Sequence, residues 1–191
     1  HWGLALLPHL KDEAQRARAY ELWATSAQDQ DGVIGLARLD RLPRDLQEHQ
    51  ARRHLHRVVA LTPRTLQRIP YAQYLPWEEA KSALQTLLGH PEGSMRGAVL
   101  GVLLRVPGRR LDQPALVDQA LELVQFRKNE QDPVRLAMVS ALASWPKEAW
   151  RKTHTVAIER IIRAGLDASD LSHATALQLE RLLIRTFRLD P

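Results

Sequence analysis

A stretch of basic residues has the clearest chemical meaning in this sequence. Residues 38–68 contain eight Arg against three acidic residues. On a helix spanning about 44–61, five basic side chains would share one flank, because residues three and four apart are neighbours on a helix surface. These five residues, the basic stripe, are His49, Arg52, Arg53, His56 and Arg57. We interpret the stripe either as a solvated helix face or as a site for nucleic acid or another polyanion, although it lacks interleaved aromatic residues on which bases stack.

The sequence patterns that could indicate a metal site or a catalytic nucleophile are weaker than the basic stripe. His49, His54 and His56 are close in sequence, but zinc-binding pairs on helices prefer positions i and i+4, and residues 49 and 56 lie two turns apart. Ser94 in EGSMRG resembles a nucleophile elbow only loosely, and an N-cap role suits it better. The sequence has no Cys and no glycine-rich phosphate loop. We therefore predict no metal site, no cofactor, no catalytic residue and no enzymatic activity.

The composition favours a helical globular protein. Of the 191 residues, 45% are apolar and 26% are charged, and Leu, Ala and Arg, which are good helix formers, abound. The longest apolar runs, such as VLGVLL at 99–104, are far shorter than the roughly 20 residues of a membrane span. The net charge of +5 is weak evidence for a polyanionic partner, because 22 of the 27 basic residues are Arg and genomic base composition can produce that bias.

Two further features bear on where the protein works. The absence of Cys suits a reducing compartment, and we expect a cytoplasmic, bacterial protein. The first residue is His1 rather than Met, so we expect the chain to be a segment of a longer protein.

Three predicted helices share one pattern. The helix within NEQDPVRLAMVSALASWP, residues 129–146, carries an apolar stripe at i, i+4, i+7, i+8 and i+11, and the pattern recurs 39 residues earlier and again 44 residues before that. The three stripes are Val134, Met138, Ala141, Leu142 and Trp145; Met95, Val99, Val102, Leu103 and Val106; and Ala51, Leu55, Val58, Val59 and Thr62. In each copy an Arg follows the first stripe residue, and a Pro lies eleven residues after that Arg. These residues are Arg52, Arg96 and Arg135, and Pro63, Pro107 and Pro146.

Weaker copies and second helices surround these three. A first copy would bury Ala19, Leu22 and Trp23, and a last copy would bury Leu179, Leu182 and Leu183. The predicted second helices have stripes of Ala80, Leu84, Leu87 and Leu88; of Leu116, Ala120, Leu121 and Val124, capped by Asp112; and of Ile158, Ile161, Ile162 and Leu166. Each unit is thus a helix, a turn and a helix, and units of about 40 residues bury their apolar faces by stacking.

The residues from Asp132 to Arg135, followed by an Ala and Leu stripe, resemble the start of the inner helix of a HEAT repeat, and the 39-residue step fits that family. The resemblance implies an all-α, right-handed α-α superhelix of about four to five antiparallel helix pairs. It also implies that Asp132 and Arg135 link neighbouring repeats by side-chain hydrogen bonds. We predict a degenerate region over residues 1–43 and repeats over 44–191, together one continuous solenoid, with Pro107 and Pro146 ending inner helices.

HEAT-like repeats support many functions. We predict a non-catalytic scaffold module without membrane contact that binds another protein, or other domains of its parent chain, through its inner-helix face or inter-helix turns. Nucleic-acid or other polyanion binding through the basic stripe is the first alternative. The second comes from the resemblance, since certain HEAT-like proteins are DNA glycosylases that use a basic concave surface with Trp and a catalytic Asp.

Overall fold

The computed structural model of the chain describes residues 9–10 and 12–187, with residues 186 and 187 described by their backbone alone. These residues form α-helices and short 3-10 helices, and no strand occurs among them. The prediction of an all-α fold is therefore confirmed. The chain forms two compact units, with the division between Leu75 and Pro76. The predicted transition between residues 43 and 44 falls inside the first unit.

The described part of the first unit is built from short and medium helices. They are α1 (Glu13–Ala27), α2 (Leu36–Leu39), α3 (Arg44–His56) and α4 (Thr65–Arg68), with 3-10 helices at Val59–Leu61 and Ile69–Tyr74. The Asp12 carboxylate caps α1 by accepting hydrogen bonds from the backbone N–H groups of Ala14 and Gln15 at 2.9 and 3.2 Å. The core of this unit forms where α3 packs against the 3-10 helix Ile69–Tyr74.

The buried face of α1 differs from the prediction. The predicted core residues were Ala19, Leu22 and Trp23. The buried residues are Tyr20, Ala24 and Ala27. Leu22 is instead 68% exposed. The helix is rotated so that the Tyr20 hydroxyl accepts a hydrogen bond from the Gln50 side chain of α3, and a buried Tyr hydroxyl needs such a partner.

The first copy of the repeat also ends earlier than predicted. Helix α3 stops at His56 rather than near residue 61, because Val58 takes an extended conformation and a 3-10 turn follows. Two β-branched residues in succession, Val58 and Val59, disfavour the helix at this point. Val59 is 81% exposed and Thr62 is exposed, so neither belongs to the core, and Leu61 is buried instead.

The second unit contains most of the longer helices. They are α5 (Trp77–Leu84), α6 (Gly93–Leu103), α7 (Arg105–Gly108), α8 (Ala115–Phe126), α9 (Asp132–Ala143), α10 (Thr155–Leu166) and α11 (His173–Phe187), with 3-10 helices at Gln85–Leu87, Lys147–Ala149 and Lys152–His154. Helix α9 packs against both α6 and α11, while α10 packs against α8 and α11. Helices α6 and α11, which carry the predicted copies on either side of the α9 copy, are thus neighbours of α9 in space.

The core of the second unit follows the sequence pattern closely. All five stripe residues of α9 are buried, and four of the five in the preceding copy are buried, with Met95 half-buried. In the last copy Leu179 and Leu182 are buried, whereas Leu183 is 39% exposed. Glycines at the contact between α6 and α9 permit close approach, since a Cβ atom at Gly97 would lie 3.5 Å from the Ala137 Cβ atom.

The second helices are confirmed with shifted ends. The predicted stripe of α8 is buried, but its N-cap is Pro114 rather than Asp112. In α10 the three Ile residues are buried, and Leu166, which was predicted to be in the core, is exposed. Leu87 and Leu88 are half-buried, because α5 ends at Leu84 and a 3-10 turn replaces its last part.

The prolines after α6 and α9 lie in different settings. Helix α9 ends at Ala143, and Pro146 precedes the 3-10 helix Lys147–Ala149. Helix α6 ends at Leu103, and buried Pro107 lies within the short α7 that follows. Proline cannot donate a backbone hydrogen bond, which suits its position in the first turn of a helix or beyond a helix end.

Candidate functional site

Two arginines of the repeat join successive helical segments of the second unit. The Arg135 Nη2 atom donates to the Glu130 carbonyl and to Asp170 Oδ1, each at 2.9 Å. Arg96 does the same one repeat earlier, donating to the Pro91 carbonyl at 2.8 Å and to Glu130 Oε2 at 2.9 and 3.0 Å. Each guanidinium therefore bonds a carbonyl five residues behind it and an acid 34 or 35 residues ahead of it.

Asp132 strengthens the second of these links. Its Oδ1 atom accepts a hydrogen bond from the Ser172 N–H at 3.1 Å, and its own N–H donates to Asp170 Oδ2 at 2.8 Å. Burial alone would raise the pKa of Asp132, but the hydrogen bonds from Ser172 and the charge of Arg135 hold it below its ordinary value. The carboxylate is therefore ionised at neutral pH and bonded across the helix junction.

The Arg of the first copy, Arg52, is more exposed than Arg96 and Arg135. The Arg52 guanidinium lies 3.5 Å from Glu48 on the same helix, and its side chain is 46% exposed. The Arg at this repeat position thus lies at the surface of the first unit, where helix α3 ends one turn early.

Replacing Arg96 with Ala should therefore lower the free energy of unfolding by about 1–3 kcal/mol, since it removes charge-assisted hydrogen bonds and leaves Glu130 partly unpaired. Arg163→Ala is the matched control, because it removes an exposed ion pair with Glu159 within α10, and it should change the free energy of unfolding by about 0.5 kcal/mol or less. Urea unfolding of both variants measures the difference. Equal losses in the two variants would show that the Arg96 link contributes nothing beyond a surface ion pair.

The basic stripe is only partly exposed. His49, Arg52, His56 and Arg57 are exposed, but Arg53 is half-buried. The Arg53 guanidinium donates to Gln28 Oε1 at 3.2 Å and to Gln50 Oε1 at 3.5 Å, so it ties the loop after α1 to α3.

The histidines of α3 do not converge on one point. His54 is fully buried in the core of the first unit, whereas His49 and His56 are exposed. The Ile34 N–H donates to His54 Nε2 at 2.8 Å, and Nδ1 donates to the Gln50 carbonyl at 2.7 Å. In the part of the chain that the structure describes, no group of acidic residues and histidines is placed to hold a metal ion.

Tryptophan is not available as a base-stacking surface at three positions. Trp77, Trp145 and Trp150 are buried, and the rings of the last two stack at a centroid distance of 4.8 Å. The surface that the glycosylase alternative needs is therefore not formed by these residues. No described helix has the length and apolar character needed to cross a membrane.

The exposed side of α9 is uncharged. Its exposed or half-buried residues, including the position after the helix end, are Pro133, Leu136, Ala137, Ser140 and Ser144. The two charged residues of α9, Asp132 and Arg135, are buried. On one side Ala137 adjoins Gly101 of α6, where an added Cβ would lie 3.6 Å from the Ala137 Cβ atom.

Helix α11 extends this uncharged surface on the other side. An open groove of about 570 Å³ runs between Ser140 and Ser144 of α9 and Ile184 of α11. Ile184 is 48% exposed, and Leu177, seven residues earlier on the same side of α11, is 40% exposed. We call the exposed faces of these three helices the inner surface; it comprises Ala98, Gly101, Leu136, Ala137, Ser140, Ser144, Leu177 and Ile184.

Arginines lie within and beside the inner surface. Arg181 and Arg185 line the groove, and exposed Arg105 follows the end of α6. Arg185 also donates to the Trp145 carbonyl, which holds its side chain near the groove. The surface therefore combines small and apolar side chains with exposed arginines, one of which, Arg181, lies between Leu177 and Ile184 on α11.

No protein-family model, curated protein or solved structure matches this chain. The assignment of a site thus depends on geometry. The sequence did not single out Leu177, Arg181, Ile184 or Arg185, since each is an ordinary residue of a helical pattern. Glu130 and Asp170 accept hydrogen bonds from Arg96 and Arg135. One feature of the sequence could have predicted them, because each acid follows its Arg at a similar spacing.

Proposed function

We propose that the chain is a non-catalytic protein-interaction module and that its second unit is a HEAT-like solenoid. The inner surface binds an amphipathic, acidic segment of another protein or of the parent chain. One observation carries the proposal: three packed helices present small and apolar side chains, with exposed Leu177 and Ile184, beside exposed arginines.

The chemistry of the surface selects this class of partner. Small, half-buried residues such as Ala98 and Ala137 leave room for a helix or an extended segment to approach the backbone closely. The exposed Leu177 and Ile184 lose contact with water when an apolar side chain covers them, which favours binding. The exposed Arg105 and Arg181 favour acidic residues on the partner and disfavour basic ones.

A pair of labelled helical peptides tests the proposal. One carries Leu at i and i+4 with Glu along the flanks, and the other has Lys at every Glu position. We expect the acidic peptide to bind in fluorescence anisotropy and the basic peptide to bind at least about tenfold more weakly, a difference of about 1.4 kcal/mol. Ile184→Asp should weaken binding of the acidic peptide by at least that factor, since it places a negative charge in the groove.

Val156→Asp provides the matched control. Val156 lies on α10 with 57% exposure, so the same change there should leave peptide binding unaltered. Equal binding of the two peptides, or equal effects of the two substitutions, would contradict the proposal.

The basic stripe supports a second candidate function, polyanion binding, because four of its five residues are exposed. Labelled DNA and RNA titrated in parallel separate the two functions. Polyanion binding should fall steeply with added salt and should be lost in an Arg52→Glu, Arg57→Glu double variant, whereas binding of the acidic peptide to the inner surface should fall less with salt and should be retained in that variant. Arg53 stays unchanged in this test, since its hydrogen bonds hold the loop after α1.

A further inference from the structure

A cavity of about 270 Å³ lies among α8, α9 and α10 in the second unit. Its apolar wall includes Val124 from α8, Met138 from α9 and Ile161 from α10. These residues belong to the buried stripes of their helices, so the cavity opens directly onto the core of the unit. It involves none of the residues of the inner surface.

Arg135 is a buried residue that lines this cavity. The residue is 7% exposed, and its Nη atoms are bonded to Asp132, Asp170 and the Glu130 carbonyl. Its Nε atom is buried and has no hydrogen-bond partner among the described residues. This Nε atom has almost no accessible surface, so the cavity contacts other atoms of the Arg135 side chain.

Two more cations line the cavity. Lys128 follows the end of α8 and Arg160 lies on α10, and both are exposed. Neither forms an ion pair with another residue in the described ranges, and no acidic residue lines the cavity. The charge of Arg135 is already balanced by Asp132 and Asp170, so Lys128 and Arg160 supply the positive charge available to a ligand.

We propose that this cavity binds a small carboxylate with an apolar chain. The ammonium of Lys128 and the guanidinium of Arg160 bind the carboxylate, while Arg135 contributes its side chain to the cavity wall. The apolar chain lies against Val124, Met138 and Ile161, as is usual for ligand pockets that combine an apolar wall with a few polar groups. The proposal is independent of the inner surface and of any protein partner.

Titration of the full chain with octanoate, followed by calorimetry, tests the site. Octanol has the same chain without the charge, and acetate has the charge without the chain. We expect saturable binding of octanoate at one site, with octanol and acetate each at least tenfold weaker. Absence of saturable octanoate binding, or equal affinity for octanol, would overturn the proposal.

Variants assign the binding to this cavity. Lys128→Glu with Arg160→Glu should weaken octanoate binding at least tenfold, whereas the control Arg41→Glu with Lys147→Glu removes one Arg and one Lys at exposed positions outside the cavity and should leave it unchanged. Ala164→Leu places a larger side chain in the cavity wall and should also abolish binding. Circular dichroism verifies that each variant is folded. Octanoate affinity that is unchanged in both the double variant and Ala164→Leu would overturn the assignment.

Discussion

Trp145→Ala should lower the free energy of unfolding by about 3–5 kcal/mol. The Trp145 side chain is 1% exposed, and its Nε1 atom donates to the Leu104 carbonyl at 2.6 Å. Its ring fills the space beside Gly108, where a Cβ atom would lie 2.6 Å from Trp145 Cδ1. The substitution therefore leaves a large cavity and removes a hydrogen bond that joins the segment after α9 to the segment after α6. Urea unfolding followed by circular dichroism measures the loss.

Two further variants separate the contributions. Trp145→Phe keeps an aromatic ring and removes the N–H, so it should cost about 1–3 kcal/mol through the lost hydrogen bond and the smaller ring. Val156→Ala, at an exposed position, should change stability by about 0.5 kcal/mol or less. A loss below about 1 kcal/mol for Trp145→Ala would mean that the register of the α9 stripe is wrong.

Acid should destabilise the protein through His54. Burial lowers the pKa of His54 to about 4 in the folded state, against 6.5 in its ordinary environment. The unfolded chain therefore binds the proton more tightly, and the stability associated with neutral His54 is fully present above about pH 6.5 and is lost as pH falls toward 4. The total contribution is about 3 kcal/mol, of which about 2 kcal/mol should be lost between pH 7.5 and pH 5.

The structural reason is that both ring nitrogens of His54 are in use. Nε2 accepts the Ile34 N–H, so a proton there would break this bond and bury a charge beside Tyr71, whose ring stacks on the imidazole at 4.2 Å. Tyr71 donates its hydroxyl to the Ile34 carbonyl at 2.9 Å, and burial raises the pKa of Tyr71 to about 12. The cluster thus holds the loop before α2 onto α3.

Urea unfolding at several pH values checks the His54 prediction. His54→Gln should flatten the pH dependence by about 2 kcal/mol between pH 7.5 and 5, whereas His56→Gln, at an exposed position two residues away, should keep the wild-type dependence. Direct observation of the His54 ring by NMR gives its pKa even where the variant is too unstable to analyse. A His54 titration near pH 6.5 in the folded protein would contradict the prediction.

Helices α8 and α9 show how much of a helix can be predicted from local sequence patterns. Their apolar stripes have helical spacing over three turns, and Pro133 lies in the first turn of α9 while Pro146 follows its end. Such a helix buries one face whatever its neighbours are, so the core residues of both helices were predictable. The helix ends, which depend on capping geometry, were less predictable. The N-cap of α8, for example, is Pro114 and not the predicted Asp112.

Helices α1 and α3 mark the limit of those patterns. Both are rich in charged residues, so several rotations of the helix expose similar numbers of polar groups. Contacts between helices decide which face is buried, in particular the hydrogen bond from Gln50 to Tyr20 and the packing of the buried His54 ring. The predicted faces therefore failed at Leu22 and Val59, and Arg53 was placed on a surface stripe that it only partly joins.

The sequence by itself determined that the chain is helical, that α6 and α9 repeat one pattern, and that Arg96 and Arg135 hold equivalent positions. Helical periodicity and proline placement act within a few turns and can be read along the chain. Tertiary structure decided which acids receive those arginines, which side of α9 stays uncharged and exposed, and that a cavity lined by Arg135 forms among α8, α9 and α10. Each of these depends on residues from different helices, and their juxtaposition is set by packing rather than by spacing along any one helix.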